Sequence, residues 1–181
     1  GFAVVGAGQD AGDGANGIVS NAENTPVTVF GGRVVGWAGR GVFIGGAAQV
    51  RDLFVADCGE SGIEIVGGPF VAGDDARVGV VERCEVRNTR RYGINAYTSR
   101  VRDCTVSRVR IAGTFEVIGI AAIQVTDSRV HNVANPGLGV TNGILAESVS
   151  GCVVENVVGA GFTTHITARI VTACKVGRTI E

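Results

Sequence analysis

A glycine followed by a bulky apolar residue recurs along this chain, and the intervals between its occurrences leave few folds open. The pairs are Gly17-Ile18, Gly41-Val42, Gly62-Ile63, Gly93-Ile94, Gly119-Ile120, Gly143-Ile144 and Gly161-Phe162, in steps of 24, 21, 31, 26, 24 and 18 residues. A second signature, V-x-x-x-x-V, alternates with the first: Val29 to Val34, Val50 to Val55, Val81 to Val86, Val101 to Val106, Val125 to Val130, Val149 to Val154 and Val171 to Val176. The two keep a fixed offset. It is eight residues at Val34–Val42, Val55–Ile63, Val86–Ile94 and Val154–Phe162, and 14 at Val4–Ile18, Val106–Ile120 and Val130–Ile144. Self-similarity at a period of 20–50 residues is the mark of a chain that stacks small units, each too small to bury its own apolar face.

The residues between the valines say what the unit is. Two positions after the first valine stand Gly31, Asp52, Arg83, Asp103, Asp127, Gly151 and Ala173, a column dominated by residues that tolerate a left-handed bend. The next position, Gly32, Leu53, Cys84, Cys104, Ser128, Cys152 or Cys174, is small or apolar, as an inward position past a bend should be. Two short strands meeting at a bend, then a third opened by Gly-Ile, make one triangular turn of a solenoid. A strand–helix repeat would need 10–15 residues of helical periodicity per unit, for which there is no room. The expectation is an all-β, right-handed parallel β-helix with three strands per rung, about seven rungs and no substantial helix, forming a single domain over 1–181. The two consecutive 14-residue offsets predict two longer corners stacked side by side.

Composition agrees. The chain has 29 glycines in 181 residues, roughly twice the ordinary share of about 7%. Its apolar residues are mainly Val, Ile and Ala, the palette of buried parallel strands, with no Met and only Trp37. A net charge of −1 lacks the basic footprint of a nucleic-acid binder, and no apolar run is long enough for a membrane span. No signal peptide is visible, and the abrupt apolar start at Phe2 suggests a mature product or a piece of a longer chain.

Val101-Arg102-Asp103-Cys104-Thr105-Val106 and Asn142-Gly143-Ile144 resemble the repeat units of the pectate-lyase-like superfamily, and the resemblance extends over nearly the whole chain. It implies the β-helix scaffold, an extracellular or cell-surface setting and a linear polysaccharide as partner. One segment, Tyr92-Gly93-Ile94-Asn95-Ala96-Tyr97, is similar to the Tyr-Gly-Phe-Asp-Pro-His segment of β-helical alginate epimerases. Asn95 stands where that family has Asp, and Tyr97 where it has His. The Asn-Thr-Asp, paired-Asp and Gly-His-Gly segments of polygalacturonases are absent.

Other motifs read as structure. Cys84, Cys104, Cys152 and Cys174 share one inward column, no C-x-x-C pair exists, and all five cysteines including Cys58 are expected to be free, buried thiols. Gly6-Ala7-Gly8-Gln9-Asp10-Ala11-Gly12 imitates a dinucleotide fingerprint but leads into turn residues and another strand, so a corner loop is expected. No cofactor is expected. Asp74 and Asp75, in the longest and glycine-rich insertion, are weak candidates for a Ca²⁺ site, since hard cations take clustered carboxylates and carbonyls.

The strand opened by Gly-Ile offers the most informative surface. With its apolar residue inward, positions +1 and +3 point out. This places Glu147 beside His165 on adjacent rungs, a carboxylate able to orient a histidine, and gathers Glu64, Asn95 and Tyr97 about two rungs away. His165, Glu147 and Tyr97 are therefore the candidate catalytic groups, with Glu64, Asn95 and Arg91 as substrate-binding residues. Three functional expectations follow. The chain binds, cleaves or epimerises a linear polysaccharide, or it is a non-catalytic structural or adhesive module of a surface protein. It could also self-associate end to end through unpaired rungs.

Overall fold

The computed structural model describes residues 1–8, 14–21, 26–67 and 78–177. In chain order the strands are β1 (Phe2–Val5), β2 (Ile18–Ser20), β3 (Val27–Trp37), β4 (Val42–Gly45), β5 (Ala48–Cys58), β6 (Ser61–Val66), β7 (Gly79–Glu82), β8 (Glu85–Thr89) and β9 (Tyr92–Arg102). Then follow β10 (Thr105–Arg110), β11 (Val117–Thr126), β12 (Arg129–Asn135), β13 (Thr141–Ser150), β14 (Val153–Gly159), β15 (Thr163–Thr167), β16 (Ile170–Thr172) and β17 (Lys175–Val176). No helix occurs among the described residues, and the strands pair in parallel, each with the equivalent segment one turn away. This is the right-handed parallel β-helix that the repeat predicts. The Gly-Ile column stacks β2, β4, β6, β9, β11, β13 and β15, and these strands bound about six turns rather than seven.

Three inward columns form the core. Val34, Val55, Val86, Val106, Val130 and Val154 stack in register, each at 0% exposure. Val50, Val81, Val101, Val125 and Val149 make the second column; Val42, Ile63, Ile94, Ile120 and Ile144 make the third. Each fully buried Val or Ile contributes about 1.5–3 kcal/mol relative to exposure. Continuous stacking is what supplies that burial, because no single rung encloses a volume of its own.

The bend column falls where the sequence puts it. Gly31, Asp52, Arg83, Asp103, Asp127, Gly151 and Ala173 all have φ between 47° and 69°. A second left-handed column, five residues later, comprises Gly36, Asp57, Asn88, Arg108, Asn132 and Asn156, with φ from 51° to 77°. Just past the first bend the cysteines do a specific job. The thiols of Cys84, Cys104, Cys152 and Cys174 donate to the carbonyls two residues back, at 3.2–3.3 Å, and Ser128 Oγ does the same to Thr126 at 2.8 Å. All five thiols are free, and four are buried as expected, but Cys174, on the last turn, is only half-buried. Burial pushes Cys58 up to about 12 and Cys152 up to about 11, while the neighbouring Cys84 thiol together with burial raises Cys104 well above the usual range. Cys58, Cys104 and Cys152 remain protonated donors.

The extended corners stack as expected, and there is a third. Asn135, at 0% exposure, donates from Nδ2 to Phe115 O at 2.8 Å, accepts Gly137 N at Oδ1 (2.9 Å), and accepts Ala160 N at its own carbonyl (3.2 Å). One side chain and its carbonyl thus tie three consecutive corners together. Near the start, Gly6 and Gly8 donate to Val35 O and Gly36 O, continuing the ladder. Residues 9–13, the rest of the glycine-rich segment there, lie outside the described residues.

The glycine before each isoleucine is required by space. A Cβ on Gly119 would lie 2.4 Å from Val130 Cγ1 and 2.5 Å from Gly143 O, and Gly41, Gly62, Gly93 and Gly143 meet a valine methyl of the facing wall at 2.2–2.4 Å. Gly119→Ala is expected to destabilise the fold by about 1–3 kcal/mol through overpacking. Equilibrium urea unfolding of the variant beside the parent checks this; an unchanged midpoint would contradict the packing account.

Candidate functional site

The outward side of the Gly-Ile column carries two adjacent files of side chains. One runs Ser61, Tyr92, Ile118, Asn142, Thr164; the other runs Phe43, Glu64, Asn95, Ala121, Leu145, Thr167. Its middle rungs are apolar, and Asn142, Thr164 and Thr167 form a hydrogen-bonded polar group at its end. Tyr92, Ile118 and Ala121 form a small cluster outside the main core, with Leu145 packed against it. Its earlier rungs are charged and polar, so the face changes character at Tyr92 and Asn95.

Glu64 is 8% exposed and already engaged. Its Oε2 accepts Ser61 Oγ at 2.7 Å and pairs with Arg40 Nε at 2.9 Å, while Arg40 Nη1 reaches Glu60 Oε2 at 3.2 Å. The same guanidinium lies 4.9 Å over the Phe43 ring. Glu64 therefore holds Arg40 in place. Beside it in register, Asn95 presents a buried Oδ1 with no hydrogen-bond partner among the described residues. A buried orphan acceptor is costly.

The next rung supplies an aromatic–guanidinium group. The exposed Arg91 side chain lies 5.2 Å from the Tyr92 ring and 6.0 Å from the Phe115 ring, and Tyr92 Oη donates to Glu116 Oε2 at 3.4 Å. Phe115 and Glu116 come from the first extended corner, which the Ile118 N to Arg91 O bond at 3.0 Å anchors to this rung. Tyr97 sits in a bulge. Ala96 pairs with Ala122 and Arg100 with Gln124, so Tyr97, Thr98 and Ser99 oppose Ile123 alone. Extra residues in one strand re-aim a side chain, and Tyr97 is 47% exposed. Burial of its ring, then the charge on Glu116, push the phenol up to about 12. At neutral pH Tyr97 is a hydrogen-bond donor and no base.

The predicted Glu147–His165 pair is not formed. Asn142 pairs with Thr164 and Ile144 with Ile166, which sets His165 opposite Gly143. Ser148 pairs with Ile170, so Arg169 is the neighbour of Glu147. His165 is displaced by four positions, about 13 Å along a strand. The apolar residue of the last turn is Ile166 and not Phe162, which makes the last offset 12 and creates the third extended corner. Phe162 is 68% exposed. The His165 ring is half-buried, its Nε2 lacks a partner among the described residues, and burial lowers its pKa.

Of the predicted residues, then, the fold brings together Arg91, Asn95, Tyr97 and Glu64 on one face and leaves Glu147 and His165 apart. Arg40, Ser61, Tyr92, Phe115 and Glu116 complete the group. The bulge has a sequence signal: Ile94 to Val101 spans seven residues, against five for Ile120–Val125 and Ile144–Val149. Asp74 and Asp75 lie outside the described residues, and no group of three or more His, Cys, Asp or Glu that could hold a metal ion occurs among the described ones. Among the described residues no helix is long and apolar enough to cross a membrane.

A second charged group is structural. Glu82, 6% exposed, lies between Arg51 (3.4 Å) and Arg102 (3.0 Å) on neighbouring strands and also pairs with Arg83. Arg83 in turn grips Asp52 through two contacts of 2.8 and 3.0 Å. The Arg102 hydrogen bond holds Glu82 below the usual carboxylate range, and the Arg83 bond does the same for Asp52.

Comparison of this chain with protein-family models, with curated proteins and with solved structures finds no match.

The chain has two tyrosines, so Tyr97 can be followed singly. An ultraviolet difference titration against Tyr97→Phe is expected to place its midpoint near 12, and Glu116→Gln is expected to lower it by removing the adjacent negative charge. A midpoint at the ordinary tyrosine value in both proteins would show that neither burial nor Glu116 acts on the ring.

Proposed function

We propose that this protein is a carbohydrate-binding parallel β-helix, related to the pectate-lyase-like proteins and working outside the cell or on its surface, that holds a linear polysaccharide along the Gly-Ile sheet face. The observation that carries this reading is the exposed Phe115 ring with the Arg91 guanidinium 6.0 Å from it, on the face that also exposes Tyr97. Aromatic faces take the C–H side of a sugar ring, and a few convergent polar groups fix its orientation. Arg91 and the Tyr97 hydroxyl can donate to sugar oxygens. Rungs about 4.8 Å apart repeat at close to the length of one hexose in an extended chain.

Binding is favoured over turnover by the state of the ionisable groups. Glu64 is neutralised by Arg40, Tyr97 stays protonated, and Glu147 and His165 stand apart. A proton-transfer step needs an acid and a base within hydrogen-bond reach of one bond; Tyr92 Oη and Glu116 Oε2 lie 3.4 Å apart on this face, but burial raises the Tyr92 phenol above its ordinary value.

Calorimetric titration with a panel of linear oligosaccharides, neutral and acidic, tests the reading. Tyr97→Ala and Arg91→Ala are each expected to weaken binding about tenfold or more, roughly 1.4 kcal/mol, while Glu147→Gln and His165→Ala leave it unchanged. If no member of the panel binds, or if Tyr97→Ala binds as tightly as the parent, the structural or adhesive solenoid replaces this proposal.

A further inference from the structure

We propose a second binding site on another corner of the rung, a groove at Arg108 and Arg110 that takes the carboxylate or sulfate groups of an acidic glycan. The groove has a volume of about 470 Å³ and is lined by Asn88, Arg108, Arg110, Asn132, Asn156 and the apolar pair Ala134 and Val158. It follows the second left-handed column, whose amides bond from turn to turn: Asn88 Nδ2 donates to Asp57 Oδ1 at 2.6 Å, and Asn156 Nδ2 to Asn132 Oδ1 at 3.1 Å.

Arg108 interrupts this ladder. The other members of the column are Gly, Asp or Asn, the types that accept a positive φ most readily, whereas Arg108 adopts φ 57° at a cost in strain. Strain kept at one position points to a use there. Arg83, an arginine in the first bend column, has an evident structural reason, since Asp52 and Glu82 hold it. Arg108 and Arg110 have no side-chain partner among the described residues, and both are exposed. The overall charge of −1 conceals a local excess. Eight of the 16 basic residues lie between 82 and 110, against three acidic ones, Glu82, Glu85 and Asp103. Those acids are engaged with, or adjacent in sequence to, Arg83, Arg87 and Arg102, and Arg108 and Arg110 are the arginines of this stretch that line the groove.

The lining selects the ligand. Guanidinium groups bind carboxylate or sulfate through charge-assisted pairs, the asparagine amides suit sugar hydroxyls, and Ala134 and Val158 offer a floor for a ring face. No aromatic side chain lines the groove to stack a base, which disfavours a single-stranded nucleic acid.

The test uses the intact chain with three probes: a heparin hexasaccharide, neutral cellohexaose and inorganic polyphosphate of similar charge. The parent is expected to bind the hexasaccharide, more weakly as salt rises, and to prefer it to the other two. The Arg108→Asn, Arg110→Gln double variant is expected to lose at least tenfold in hexasaccharide affinity. Arg108→Asn alone restores the ladder and is expected to hold or raise Tm while weakening binding, which separates loss of the site from loss of the fold. Tyr97→Ala should leave hexasaccharide affinity intact, so this site can stand even if the sheet face fails. Undiminished binding by the double variant, equal binding of cellohexaose, tighter binding of polyphosphate, or loss of binding in Tyr97→Ala would each overturn the proposal.

Discussion

The whole structure rests on the clearance between a glycine on one wall of each turn and a valine methyl on another. Gly62 and Gly93 show it at its tightest, each leaving 2.2 Å between a notional Cβ and the γ-carbon of Val86 or Val106. The absent side chain lets the walls approach until the valine and isoleucine columns touch. Those columns then fix the height of every rung, because each inward residue sits on its like one turn away. Strand pairing, bend position and the facing of outward residues all follow from that stacking.

Two left-handed columns turn the corners, and each solves the backbone problem a bend creates. At the first, a thiol or hydroxyl one residue past the bend satisfies the carbonyl just before it. At the second, side-chain amides and carboxylates bond along the stack. Where the chain needs more length it adds residues at one corner, and Asn135 binds three such additions into a ledge. The first of them brings Phe115 and Glu116 beside Arg91 and Tyr92. The sheet face thus draws its character from a strand, a bulge and a ledge that each come from a different departure from the repeat.

The sequence discloses what the repeat controls. The valine register from Val34 to Val154, the first bend column and the inward cysteines were all legible, because each rests on residue types with one physical use. The last turn was not. Gly161-Phe162 imitates the signature, yet His165-Ile166 occupies the place. Val176, the counterpart on that turn of the valines that exclude a side chain, is 51% exposed, so the packing that demands glycine lapses and a histidine is accepted. That four-residue shift separates Glu147 from His165. Arg40 escaped notice because its role depends on Glu60, Glu64 and Phe43 converging from two rungs, and no spacing within one repeat encodes such a meeting.

The near-identity of the columns has a consequence for how this chain finds its fold. Sliding one turn past its neighbour would replace valine by valine and isoleucine by isoleucine, so the core alone barely distinguishes the native alignment from its slipped rivals. A landscape of that kind would hold many minima of similar depth. What separates them are the unequal lengths: the seven-residue interval that carries Tyr97, the ledge pinned by Asn135, and the odd salt-bridged tier around Glu82. These irregular places act as an index telling each segment which tier it belongs to. The same residues that give the surface its chemistry also make the stacking unique.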